Sequence, residues 1–415
     1  VTVRRWLPAG LTVLAFAAGF WQKLPCQAAG WPDDTATLFG RYCYSDVPIL
    51  FRERGLFDGI FPYESGPGAQ PLEYPVLTGY LMDATARLVR AILPGADVAV
   101  ASRAYFLTTV LVLLALAVLT VWATGAVLRR TGGRPGDALL VAAAPVLILA
   151  GTVNWDLLAV AAAVLAILAW ERDRPLLAGV LIGLGTAAKL FPLVLLGPVL
   201  LLCLRQRRMR RFARVAAGAA GAWLLVNLPV VALQPDGWME FWRFNAGRGA
   251  EFGSLWFALD GLGLHMPAVN AVALATFGVL LAGIAVLALR SRRPPDLAQL
   301  ACLAVGAFLL TNKVYSPQYA LWLLPLVVIA RGRVPRWPVV RDWAVWQAAE
   351  VLYWLAVWSW LAGSLTDERQ YAWATVLRVL ATAYVCGQVV WDVLAAPRPH
   401  RPAPPPAVAE PAHPG

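Results

Sequence analysis

The stretch PVLTGYLMDATARLVRAIL, residues 75–93, decides how the chain is folded. It is apolar enough to be counted as a membrane crossing, yet Asp83, Arg87 and Arg90 recur at spacings of four and three. On a helix those spacings put the three charges on one stripe of an otherwise apolar cylinder. Such a helix is expected to lie in the membrane interface rather than to cross. Counting it as a crossing would also turn every later loop to the other side, and the arginine clusters with it. The charges of the rest of the chain therefore test the choice.

The chain has 415 residues, of which 60% are hydrophobic and 14% charged. Apolar runs recur along its whole length, which predicts an all-α polytopic membrane protein. Twelve spanning segments are expected, near residues 6–21, 103–128, 137–153, 155–170, 176–189, 191–204, 213–233, 268–289, 297–311, 317–330, 342–363 and 370–393. With residues 75–93 kept out of the count, the clusters Arg129 to Arg134, Arg172 to Arg174, Arg205 to Arg214, Arg290 to Arg293 and Arg331 to Arg341 fall on one side. The N-terminus, with Arg4 and Arg5, and the tail residues Arg398 and Arg401 join them. The other side receives Asp33, Asp34, Asp46, Asp58, Glu73, Asp156, Asp236, Glu240, Glu251, Asp260, Asp367 and Glu368. Positive charge gathers on the cytoplasmic side, so both termini are expected there. The net charge of +11 is then topological, and nucleic acid is excluded as a partner.

One transmembrane domain is expected over residues 1–396, with a first outer loop at 22–102 and a second at 234–267. Residues 397–415 are proline-rich and polar, a composition expected to form a disordered cytoplasmic tail. Trp21-Gln22-Lys23 reads as an interfacial anchor closing a retained first helix. Cys203, Cys302 and Cys386 fall in apolar runs and read as packing residues. Cys26 and Cys43 share the first outer loop, where an oxidising exterior would allow a disulfide.

Between the apolar runs, residues 41–80 carry Asp46, Glu53, Asp58, Glu64 and Glu73 among arginines and aromatics. Polar density of this kind marks a water-facing loop, and loops carry function more often than scaffolds do. Asp46 can act as a general base toward a hydroxyl, or simply cap the helix that follows. Glu73, followed by Tyr74 and Pro75, favours a helix N-terminus by its charge, or binds a sugar hydroxyl. Asp156 reads as a cap on the helix beginning at Trp155, or as a second acidic group of the site.

Four predicted helices are short. At about 1.5 Å per residue the pairs 176–189 with 191–204 and 297–311 with 317–330 reach only about 20–23 Å, against a hydrocarbon core of about 30 Å. Their turns must lie below the outer surface, where polar backbone is tolerated if it lines a watery recess. Lys189 and Lys313 sit in those turns, and with Lys23 they are the chain's only lysines. A lysine at membrane depth is costly and tends to be functional, so both are candidates for a phosphate group; snorkelling is the plain alternative. The loop from Gln234 to Phe257 mixes tryptophans with Asn245, Arg243 and Arg248, and Arg248 stands out as a further phosphate contact. Glu350 and Arg378, near mid-bilayer in the last two helices, are expected to form a structural ion pair. No cluster has metal-ligand spacing, and neither a metal nor another cofactor is called for.

The order of Ser45-Asp46, Pro62-Tyr63, Glu73-Tyr74-Pro75, Asn154-Trp155-Asp156, Lys189 to Pro192 and Ser316-Pro317-Gln318-Tyr319 resembles the C-type glycosyltransferases. More narrowly it is similar to glycosyltransferase family 87, the polyprenol-phosphate-mannose-dependent mannosyltransferases, from which it departs in having Tyr74-Pro75-Val76 where Tyr-Pro-Pro is usual. The resemblance implies a GT-C fold whose first outer loop supplies Asp46 as catalytic base. The acceptor hydroxyl would attack the anomeric carbon of a polyprenyl-phosphate sugar with inversion. Lys189, Arg248 and Lys313 would hold the lipid phosphate, with Glu73, Tyr74, Asp156 and Tyr319 completing the substrate site. The expected partners are the bilayer, the polyprenyl-phosphate sugar as donor substrate, and a cell-envelope glycolipid, lipoglycan or protein as acceptor. The rival expectation is a transporter or flippase for lipid-linked sugars; a scaffold without activity is a third.

Overall fold

A computed structural model of the chain describes residues 2–31, 34–66 and 70–395. The expected tail at 397–415 and Asp33 lie outside the described residues. The chain runs as α1 (Thr2–Gln22), the short α2 (Leu24–Ala28), α3 (Thr35–Gly40) and α4 (Asp46–Glu53), then α5 (Val76–Ile92) and α6 (Val98–Arg130). Next come the short α7 (Leu139–Ala142) and α8 (Pro145–Ala150), α9 (Asp156–Glu171), α10 (Pro175–Ala188), α11 (Leu196–Arg205) and α12 (Met209–Leu233). The last third holds α13 (Pro235–Gly247), α14 (Leu255–Gly261), α15 (Val269–Arg290), α16 (Leu297–Thr311), α17 (Ala320–Ala330), α18 (Arg336–Leu361) and α19 (Glu368–Leu394). No strand occurs among the described residues.

The start signals are chemical. Asp97 accepts from the backbone N–H groups of Ala99 and Val100 and so caps α6, while Arg129 and Arg130 close its far end. Asp296 and Gln299 form a reciprocal capping box on α16. Among the described residues four helices, α6, α12, α15 and α19, are long and apolar enough to cross a membrane. The short apolar helices expected in pairs are also present: α10 turns through Lys189 into α11, and α16 turns through 312–316 into α17.

One expected span is not a single helix. Residues 137–153 break into a tight turn at Pro135–Ala138, then α7, then α8. Pro145 lacks an N–H and pushes Ala144 into extended backbone (φ −67°, ψ 126°), which ends the helix before it.

At the centre α9, α16 and α17 are buried on nearly every side. α10 and α12 meet backbone to backbone, because glycine removes the side chain between them. A Cβ on Gly183 would stand 2.3 Å from the carbonyl oxygen of Ala219, and one on Gly179 would stand 2.0 Å from that of Val215. Gly183→Leu is therefore expected to push the helices apart and destabilise the protein by about 3 kcal/mol, read as a lower thermal midpoint in detergent.

α5 covers the expected segment, but its charged residues divide. Arg87 is 62% exposed, whereas Asp83 is buried and accepts from Arg87 at 2.7 Å. Arg90 donates to the carbonyl of Leu56, tying the first loop to α5. Cys26 and Cys43 are joined in a disulfide, with Cα atoms 5.8 Å apart, and the other three cysteines are buried.

Candidate active site

Asp46 is the first residue of α4. Ser45 caps that helix, so the carboxylate of Asp46 is free for other partners. The Ser45 hydroxyl donates to the carbonyl of Thr152 at 2.8 Å, and the Asp46 N–H to that of Val153 at 2.9 Å. The first loop is thereby stitched to the turn leading into α9. That turn supplies Asn154, whose Nδ2 donates to Asp46 Oδ2 at 2.6 Å. The Tyr74 hydroxyl reaches the same oxygen at 3.4 Å, and the Tyr44 hydroxyl donates to Oδ1 at 2.5 Å. Burial raises the Asp46 pKa above the ordinary aspartate value, against the opposing pull of the hydrogen bonds from Tyr44 and Asn154 and the charge of Lys189.

Lys189 lies directly after α10. Its Nζ stands 4.8 Å from the Tyr74 ring, 5.5 Å from the Tyr319 ring and 3.3 Å from Asp156 Oδ2. Asp156 is not the cap expected of it. It opens α9 without a capping bond, and its other oxygen accepts from the indole N–H of Trp322 at 2.6 Å. Buried at 1% exposure, it serves as the floor that holds the lysine.

A cavity of about 320 Å³ is lined by Asp46, Glu73, Tyr74, Lys189, Arg248 and Tyr319, whereas Asn154 and Asp156 do not line it. Glu73 stands outside α5, which Pro75 caps, and pairs with Arg54 at 2.8 Å. Arg248, at the end of α13, forms a two-pronged ion pair with Glu251. Lys313 does not line the cavity. Its ammonium is turned onto the carbonyl of Arg248, and its own carbonyl accepts the N–H of Glu251, so it braces the loop that carries Arg248. Similar places in two hairpin turns did not give the two lysines the same direction.

Three groups were not foreseen in their actual parts. Asn154 was legible only as one letter of a motif, since no spacing rule ties residue 154 to residue 46. Tyr44 lies two residues before Asp46 in a non-helical segment, and that proximity was the available signal. Lys23, expected to close an interfacial anchor with Trp21, is instead fully buried, while Trp21 is exposed. The disulfide ties Cys26 to Cys43, the neighbour of Tyr44, and the Lys23 Nζ donates to the Tyr44 carbonyl at 2.8 Å and sits 5.2 Å from the Trp354 ring. Burial brings its pKa down to about 7, with the charge of Asp46 resisting the fall.

The arrangement offers a carboxylate of raised basicity a short distance along one cavity wall from two cationic side chains. Among the described residues no three His, Cys, Asp or Glu side chains come together as a metal-ligand set. Among solved structures the chain is similar to ArnT from Cupriavidus metallidurans bound to undecaprenyl phosphate, at 12% identity and a TM-score of 0.46, covering 93% of this chain and 77% of that one. A likeness so distant carries no residue or ligand across. No curated protein sequence matches the chain. The model of glycosyltransferase family 87 matches residues 84–311, which hold Asp156, Lys189 and Arg248 but not Asp46. That match takes in more than half of the chain, and an all-helical protein with helices able to span a membrane and a carboxylate beside cations in one cavity is consistent with it: the chain belongs to glycosyltransferase family 87.

Proposed function

We propose that this membrane glycosyltransferase moves a sugar, mannose in our reading, from a polyprenyl-phosphate donor to a cell-envelope acceptor at the extracytoplasmic face. The observation that carries the reading is the shared cavity of Asp46, Lys189 and Arg248. Asp46 takes the proton of the acceptor hydroxyl as the oxygen attacks the anomeric carbon. The bond from that carbon to the phosphate oxygen breaks on the opposite face, and configuration inverts. The departing polyprenyl phosphate keeps the electron pair and is stabilised by Lys189 and Arg248, preorganised cations that need no rearrangement as charge develops.

Twelve crossings with cytoplasmic termini fit the same reading. Arginines close α6, α11 and α15, while Asp97 and Asp367 cap the opposite ends of α6 and α19. α5 then lies along the outer interface above the recess. A lipid phosphate is too lipophilic to leave the bilayer, so cations sunk beside the short hairpins suit it.

Lys189→Met and Arg248→Ala test the phosphate assignment. Each is expected to weaken binding of polyprenyl phosphate and to slow transfer by about a hundredfold, measured with purified protein in nanodiscs. Unchanged lipid affinity in both variants would remove the phosphate from this cavity.

A further inference from the structure

A second, larger cavity lies away from Asp46, between α15, α16 and α19. It is a groove of about 750 Å³, lined by Ile284, Leu287, Leu303, Leu310, Val390 and Leu394 among others. Apart from Arg290 and Ser291, every residue of the lining is uncharged and apolar. Two glycines keep the groove open, since a Cβ on Gly283 or on Gly387 would meet nothing within 4 Å. At its floor α16 and α19 meet closely, where a Cβ on Gly306 would stand 2.3 Å from Cys386 Sγ. α15 stands off as the third wall, and of its residues only Ile284 and Ala288 are buried.

One end of the groove is basic. Arg290, the last residue of α15, lines it, and Arg293 lines a smaller cavity of about 180 Å³ beside it. The two cavities adjoin along the end of α19, where Val390 and Leu394 line the first and Asp392 and Val393 the second. The connecting backbone is fixed in place. Arg205 donates to the carbonyls of Ala288 and Ser291, both at 2.6 Å, and the Ser291 hydroxyl donates to the carbonyl of Arg293 at 2.9 Å. The other charged groups of the smaller cavity are spent on partners, Arg333 on Asp296 and Asp392 on Arg331. Arg290 and Arg293 are exposed and have no ion-pair partner among the described residues. This end is also remote from the candidate active site. α16 leads from Asp296 to the turn before Tyr319, so about 22 Å of helix lies between them.

We infer that the groove is a binding site for an anionic glycerophospholipid, with one acyl chain laid between α15 and α19 and the phosphate at Arg290 and Arg293. The phosphate meets two arginines that lack a counter-charge, and the chain fills a slot that no side chain of the protein fills. A choline head group would bring a further cation to the same place, so charge favours phosphatidylglycerol over phosphatidylcholine. In the orientation proposed above, the arginines face the cytoplasmic leaflet, where basic pockets between membrane helices take anionic head groups. Polyprenyl phosphate suits the groove less, because in the transfer reaction its phosphate is held at the other end of α16.

The test uses the full-length protein, delipidated in neutral detergent and titrated with dioleoyl phosphatidylglycerol or dioleoyl phosphatidylcholine, with bound lipid counted by native mass spectrometry. One phosphatidylglycerol per chain is expected to be retained at a concentration about tenfold below that needed for phosphatidylcholine. Arg290→Gln and Arg293→Gln should each weaken that retention about fivefold. Gly387→Leu should abolish it without lowering the thermal midpoint, since the new side chain enters open space. Gly283→Leu fills the groove from the opposite wall and should do the same if Gly387→Leu does not fold. Equal retention of the two lipids, or phosphatidylglycerol retained unchanged when the groove is filled, would overturn the site. Displacement of phosphatidylglycerol by polyprenyl phosphate would overturn it too, by giving the groove to the donor's tail. Lipid retention is read without any sugar transfer, so the result stands apart from the transferase reading.

Discussion

Asp46→Asn is expected to lower transfer by about 10³-fold or more while the protein still folds and still binds polyprenyl phosphate. The amide keeps the shape and can still accept from Tyr44, but it cannot take a proton, and general-base catalysis is commonly worth about 10²–10⁴ in rate. The pH profile gives the same test from another side. Only the ionised carboxylate can act, so kcat/KM should rise with pH through the pKa of Asp46. Burial places that pKa above the ordinary 3.8, and the acid limb should sit correspondingly high. Tyr44→Phe removes a hydrogen bond that favours the ionised form, so it should move the limb higher still. An acid limb unmoved by Tyr44→Phe, together with an active Asp46→Asn protein, would assign the proton to another group.

The largest effect on stability is expected from Arg378→Met. Arg378 is completely buried, and its Nε lies 2.8 Å from Glu350 Oε2. It also stacks on Tyr315 and Tyr353 at 3.6 and 4.1 Å and donates to the carbonyls of Tyr315 and Ser316. Removing one partner of a buried pair strands the other, at a cost of about 3–5 kcal/mol. The carbonyls it holds belong to the turn from Tyr315 to Pro317, whose continuation brings Tyr319 to the cavity, so transfer should fall with stability. The double variant Glu350→Leu with Arg378→Met should recover much of the stability without the activity. A thermal midpoint for Arg378→Met close to wild type would mean that the pair contributes little to the fold.

The sequence made the helical architecture legible because its signals are strong and local: apolar runs, arginine clusters and polar turns between short helices. Asp46, Glu73, Tyr74, Lys189 and Tyr319 could be named from motifs and Arg248 from the composition of its loop, and they do share one cavity. What stayed hidden was direction. Lys189 and Lys313 occupy similar turns, yet only packing decides that one points at Tyr74 and Tyr319 and the other at a backbone carbonyl. The burial of Lys23 was out of reach because its partners, the Tyr44 carbonyl and the Trp354 ring, lie 21 residues on and in α18. The stacking of Phe39 on Trp358 was equally out of reach, since the two rings meet only when α3 docks on α18.

The most direct measurement is the anomeric configuration of the product, read by NMR and mass spectrometry after purified protein is incubated with a polyprenyl-phosphate sugar and an octyl pyranoside. A single base opposite a cation-held phosphate predicts one new glycosidic bond of inverted configuration and one free polyprenyl phosphate for each sugar transferred. A product of retained configuration, or donor carried across the membrane with its sugar still attached, would contradict the account.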